Sequence, residues 1–122
     1  MADLADPSER YQDSYLEALQ EFQAEGRHLD LLLEEVAAHF GDFVQHLREQ
    51  ADRAKIKPGR VPHSYFWLLD GNDDIGRLIL HHAVNEHLLQ MGGHNGYEIR
   101  PSRRGQGYGK LILKHGLDRA KA

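Results

Sequence analysis

Apolar residues recur at helical spacing in the first quarter of the chain. Tyr15, Leu19 and Phe22 share one face, with Tyr11 one turn before Tyr15. Asp6-Pro7-Ser8-Glu9 reads as the start of that helix. Asp6 is the expected cap, Pro7 the first helical position, and Glu9 the return partner of a capping box. Gly26 reads as its stop. A second helical region runs from about Leu31 to about Asp52, with Leu32, Val36, Phe40, Phe43 and Leu47 near one face. Gly41 followed by Asp42 is the point at which it can divide into two shorter helices.

The period then changes. Lys57-Pro58-Gly59-Arg60-Val61-Pro62 is a loop, and Ser64 to Leu69 reads as a strand. Asp70-Gly71-Asn72-Asp73 is a turn, and Ile75 to Val84 is the second strand of an antiparallel pair. Asn85 to Met91 allows one or two helical turns, broken by Gly92-Gly93. His94 to Arg100 is a third strand closed by Pro101, and Tyr108 to Ala120 reads as a helix with Leu111, Ile112 and Leu117 on or beside its buried face. The expected fold is therefore α/β (α+β), one domain over 1–122. Its helical front covers about 7–53, and its sheet and glycine loop about 64–122.

Composition narrows the function only a little. With 40% hydrophobic and 28% charged residues the chain is ordinary for a globular domain. No apolar run is long enough to span a bilayer, and the acidic Met1 to Glu9 lacks the features of a secretory signal. The absence of cysteine excludes disulfides and thiolate metal sites and is compatible with a reducing cytoplasm, the expected location. A net charge of -4 argues against a nucleic-acid partner. The charge is polarised, however. Asp3, Asp6, Glu9, Asp13, Glu17, Glu21 and Glu25 make the front acidic, while Arg100, Arg103, Arg104, Lys110, Lys114, Arg119 and Lys121 make the end basic. A basic cluster around a glycine-rich loop suits a small polyanion.

That loop carries the clearest chemistry. A helix N-terminus presents unpaired N–H groups and positive partial charge, which a pyrophosphate satisfies if side chains leave room. Gly105, Gly107 and Gly109 leave that room, and Arg103, Arg104 and Lys110 add charge. A Walker A alignment fails at Arg104 and at Leu111, where it needs Gly and Ser or Thr. A dinucleotide fingerprint starting at Gly105 fails at Lys110. The pattern Gln/Arg-x-x-Gly-x-Gly/Ala fits Arg104-Gly105-Gln106-Gly107-Tyr108-Gly109 at every fixed position.

Together with the preceding Gly96-Tyr97-Glu98-Ile99-Arg100-Pro101-Ser102, this stretch resembles the fourth strand and coenzyme loop of the GNAT (GCN5-related) N-acetyltransferases. Phe66-Trp67-Leu68-Leu69-Asp70 and Ile75-Gly76-Arg77 resemble that family's second and third strands. The resemblance implies a mixed, mainly antiparallel sheet flanked by helices. It implies an acetyl-CoA cosubstrate and an amine acceptor. Ile99 and its neighbours would bond the pantetheine arm through the backbone, and an N–H near Ile99 or Arg100 would polarise the thioester carbonyl. Amides from about Arg104 through Gly105, Gln106, Gly107, Tyr108 and Gly109 to Lys110 would hold the pyrophosphate.

The family's later strands and helix, and its usual tyrosine acid, have no match before Ala122. The expectation is a truncated domain whose own turnover is in doubt, and which self-associates through the unpaired edge of the third strand. Glu98 is the first candidate for the general base. His81, His82 and Glu86 are weaker ones, and no metal site is expected. A non-catalytic coenzyme-binding remnant and a regulatory or interaction module remain alternatives.

Overall fold

The computed structural model describes residues 2–52, 63–81 and 95–121. The expectations for Lys57 to Pro62, for His82 to Gly93 and for His94 lie outside them. The described chain is an α+β fold built on a four-stranded antiparallel sheet of order β1-β2-β3-β4: β1 (Asp3–Ala5), β2 (His63–Asp70), β3 (Asp73–His81) and β4 (Asn95–Ile99). Helices α1 (Gln12–Ala24), α2 (Leu33–Ala38) and α3 (Phe40–Glu49) cover one face, and α4 (Tyr108–Lys121) covers the other.

β2 and β3 form a hairpin in which Asp70 pairs with Asp73 around Gly71-Asn72. Gly71 has φ +64°; a positive φ at the first loop residue alone matches the right-handed twist of the strands. A bulge falls between Leu68 and Leu69, where Leu68 pairs with Gly76 but Leu69 with Asp74. Ile75 is the extra residue. The bulge resets the alternation, so Ile75 joins the core under α4 while Asp74 lies on the α1 side, its N–H on Ser14 Oγ at 2.7 Å.

Alternation along the strands separates two cores. Phe66, Leu68, Leu78 and Ile99 meet Leu4 and Ile112 beneath α4. Trp67 and Leu69 meet Tyr15, Leu19, Val36, Phe40 and Val44 on the other face. Trp67 stacks on Tyr15 with ring centroids 4.7 Å apart. Each fully buried side chain of this size contributes roughly 1.5–3 kcal/mol.

Several local expectations are corrected. β1 was not anticipated, because three residues carry no readable period. Its Leu4 is buried, and its register on β2 runs from Asp3↔Leu69 to Ala5↔Trp67. Asp6 and Pro7 precede the helical turn rather than open it. The cap is Ser8, whose Oγ accepts the Arg10 N–H at 3.3 Å, and a 3-10 turn over Glu9–Tyr11 leads into α1. Gly26 does stop α1. It has φ +88°, its N–H reaches Gln23 O, and the Arg27 N–H reaches Phe22 O, the paired bonds of a Schellman motif.

The break between α2 and α3 falls at His39, not at Gly41. Gly41 sits in the first turn of α3, where a Cβ would lie 3.1 Å from Glu9 Oε1. Leu32 is the extended residue before α2 and is 61% exposed, as is Leu117 on α4. Gly116 takes the buried place near Leu117; a Cβ there would stand 2.9 Å from Leu78 Cδ2. No described helix is long and apolar enough to cross a membrane.

Candidate functional site

β4 hands the chain directly to the glycine loop. The Arg100 N–H donates to Ile75 O at 2.7 Å. Antiparallel pairing alternates, so the backbone groups of Ile99 point the opposite way, off the sheet edge. Ile99 O there accepts from Arg104 Nε at 3.1 Å. A 3-10 turn, Pro101–Arg103, leads to Gly105 at φ +78° and Gly107 at φ +87°. Neither glycine would bring a Cβ within 4 Å of another atom. Both are therefore required by backbone conformation and leave open space above them.

The Leu111 N–H reaches Gly107 O at 3.2 Å and closes the first turn of α4. The amides of Tyr108, Gly109 and Lys110 come before that bond, at the positive end of a 14-residue helix. Lys110 and Gln106 are exposed beside them. A groove of about 380 Å³ runs over this surface between Tyr97, Ile99, Arg104 and the three loop glycines. A Cβ on Gly109 would touch the Tyr97 ring at 3.7 Å, so that glycine sets the width at one wall.

The acidic front and the basic end face each other. Glu17 and Glu21 on α1 and Glu25 at its C-cap are four residues apart and form one stripe. Arg100 gives Nε to Glu21 at 2.5 Å and Nη2 to Glu17 at 3.2 Å. Glu21 also accepts the Ser102 N–H at 2.8 Å. Burial alone would raise the Glu21 carboxyl, but Arg100 and Ser102 outweigh it and hold it below its usual range. Burial likewise works against the Arg100 charge and is outweighed by Glu21 and Glu17.

Arg104 forms a two-pronged pair with Glu25 at 2.8 and 2.6 Å, which holds the Glu25 carboxyl below its usual value. Arg103 reaches Asp73 at 3.4 Å. The arginines of the basic cluster read around the glycine loop are thus each engaged by a carboxylate. Arg100 is buried on the α1 side, with its N–H bound within the sheet.

Glu98 projects from β4 to the α1 side, into the bend between α1 and α2. Its Oε1 takes Arg27 Nη1 at 3.0 Å, and its Oε2 lies 2.6 Å from His28 Nε2. Sequence reasoning missed both partners, since neither belongs to a spaced motif. His28 is the one non-glycine residue with positive φ among the described residues, at +54°. Its carbonyl accepts both Gln23 Nε2 and the Leu31 N–H. A strained residue this firmly held points to a constrained site. His81 ends β3, and His82 and Glu86 lie outside the described residues. No group of three or more metal-ligating side chains converges among the described residues.

Beneath α1 lies a buried polar pair without direct contact. Arg77 stacks on the Tyr15 and Phe22 rings and donates Nη1 to Tyr15 OH at 3.2 Å. Its Nε and Nη2, and both oxygens of Asp74, lack hydrogen-bond partners among the described residues. Burial pushes the Asp74 carboxyl up from 3.8 to about 7. Arg77 and Arg100 oppose that rise, and the Gly76 N–H opposes it weakly from outside hydrogen-bonding geometry.

The chain matches no protein-family model and shows no significant match to a curated protein.

Proposed function

We propose that this chain binds acetyl-CoA and belongs to the GNAT-type N-acetyltransferases, moving the acetyl group to an amine. One observation carries the reading. The outward backbone of Ile99 and the two left-handed glycines before α4 open onto a single groove. The loop amides from Gly105 to Lys110 would hold a pyrophosphate, and the Ile99 edge would hold an amide-bearing arm in the manner of an added strand.

In the transfer, the amine nitrogen bonds to the acetyl carbon and the carbon–sulfur bond breaks. Glu98, oriented by His28, takes the proton that leaves the nitrogen, and the thiolate departs as coenzyme A after regaining one from solvent. A second reading, coenzyme binding without catalysis, is favoured by the same carboxylate: Arg27 and His28 already occupy both Glu98 oxygens. Because β4 has a described neighbour on one side only, we also propose that the coenzyme-free chain self-associates along that edge, to be read by light scattering across a dilution series.

Calorimetric titration with acetyl-CoA tests the coenzyme reading. The wild-type chain should bind, and Gly107→Glu should not, because the new side chain fills pyrophosphate space with like charge. Each lost charge-assisted hydrogen bond is worth ~1.5–3 kcal/mol. Unchanged affinity in the variant sinks the loop assignment. Thiol release with a panel of amines then separates the catalytic reading from the non-catalytic one.

A further inference from the structure

A second cavity, of about 590 Å³, lies on the opposite side of β4 between the α1–α2 bend, α3 and the sheet. It shares Arg27, Tyr97 and Glu98 with the coenzyme groove, so the two spaces meet at β4. Its floor is apolar and aromatic: Phe43, Leu47, Tyr65, Trp67 and Ile79. Its polar end is the His28–Glu98 pair. A volume in the range of roughly 300–1,000 Å³ with an apolar lining and few convergent polar groups is the usual form of a small-molecule site.

We propose that this cavity takes a monoamine with an aromatic or apolar body. Its nitrogen rests on the His28–Glu98 pair and its body on Phe43 and Tyr65. The assignment of this amine as the acetyl acceptor rests on the coenzyme reading above, whereas its binding does not.

Three features select the class. First, the nitrogen end: each carboxylate oxygen of Glu98 can accept a further donor beyond Arg27 and His28. His28 is fixed in place by its backbone bonds to Gln23 and Leu31, so the pair does not need to be assembled by the ligand.

Second, the body: the half-buried rings of Phe43 and Tyr65 line the cavity, and Trp67 beneath them is held in place by stacking on Tyr15. Burial holds the Tyr65 hydroxyl above its ordinary value, so that wall stays neutral.

Third, the charge: Arg27 and Arg77 offset Asp30 and Glu98 around the cavity, and His28 and His46 add no negative charge. A polyamine or a multiply aminated sugar would bring several positive charges to walls that have no surplus carboxylate. It would also have to shed water from those charges against an apolar floor.

Calorimetry with 2-phenylethylamine and with spermidine, on the full chain with and without saturating coenzyme A, tests the proposal. 2-Phenylethylamine should bind saturably and spermidine at least about tenfold more weakly. Phe43→Ala should weaken 2-phenylethylamine by about tenfold or more, through lost ring contact. His28→Asn should weaken 2-phenylethylamine but leave 2-phenylethanol, which lacks the charged nitrogen, unchanged. Asn tolerates the left-handed backbone there, so this variant stays informative if Phe43→Ala proves too unstable.

Absence of 2-phenylethylamine binding alongside intact coenzyme A binding overturns the cavity assignment and leaves the coenzyme reading standing. Tighter binding of spermidine overturns the class. Amine binding that responds to both variants, without any coenzyme A binding, supports the cavity and removes its role as an acceptor site.

Discussion

The bulge of β3 and the glycine loop each combine glycine with charge, and they use both in opposite ways. At the bulge, Gly76 is packed so tightly that a Cβ would lie 2.5 Å from Glu98 O and 3.0 Å from Ile99 Cδ1. The neighbouring charges, Asp74 and Arg77, are buried and not directly paired. In the loop, Gly105 and Gly107 meet nothing, and the two arginines, Arg103 and Arg104, are exposed or partly so and each engaged by an acid. Glycine at the bulge serves packing within the chain. Glycine in the loop leaves backbone available to something outside it. Substitutions in the first region should therefore be read in stability, and in the second region in binding.

The sharpest test of that division is Gly76→Ala. The atoms it would strike include backbone of β4, which cannot swing aside, so β3 and β4 must separate. Overpacking of this kind costs typically 1–3 kcal/mol and sometimes more. A loss of about 3 kcal/mol in urea denaturation is expected, and a loss near zero would break the comparison.

Asp74→Asn should act in the other direction, and only at the right pH. Burial raises the carboxyl from 3.8 to about 7, so between those values the folded chain keeps a proton that the unfolded chain has released. Wild-type stability must then fall as pH rises through that window and level off above it. The neutral variant lacks that slope. It should gain on the order of 3 kcal/mol over wild type on going from about pH 4 to about pH 8. Parallel stability curves for the two proteins would show that Asp74 carries no such penalty.

Gly107→Ala is the counterpart of Gly76→Ala in the loop. The added methyl group meets open space, but φ +87° is strained for any side chain. A cost of roughly 1–2 kcal/mol is expected from the backbone alone, smaller than at Gly76, together with weaker acetyl-CoA binding. A stability loss as large as that of Gly76→Ala would erase the contrast. The smallest effect should come from Glu25→Gln. It releases Arg104 on an exposed surface, so the unfolding midpoint should hardly move. Affinity for inorganic pyrophosphate should rise several-fold, as Arg104 no longer has a carboxylate to leave. A lower affinity would show that Glu25 positions the loop rather than competing for it.

Much of this organisation was legible in the residues, for reasons that differ by element. The β2–β3 hairpin shows because Gly71-Asn72 is flanked by long apolar runs. Helix α1 shows because its buried residues keep one period, and its end shows because Gly26 adopts the conformation its type favours. The loop's two positive φ angles coincide with the glycines that motif reading singled out.

What stayed hidden depends on contacts between distant positions. β1 is too short to carry a period and is held by pairing with residues more than sixty positions away. The ion pairs that tie Arg100 and Arg104 to α1 span about eighty positions. Each half of the charge pattern could be read in the sequence, but their mutual neutralisation could not. His28 offered no motif at all; only its backbone angle and its contact with Glu98 mark it.

The claim on which the rest depends is that the backbone from Gly105 to Lys110 receives the coenzyme pyrophosphate. Amide chemical shifts, followed while acetyl-CoA is added to the labelled chain, address it residue by residue. The largest movements should fall on Gly105, Gly107, Tyr108, Gly109 and Lys110, with a second group at Tyr97 and Ile99 along the β4 edge. Saturation of other regions while these amides stay still, or no movement at all at millimolar acetyl-CoA, would contradict the account.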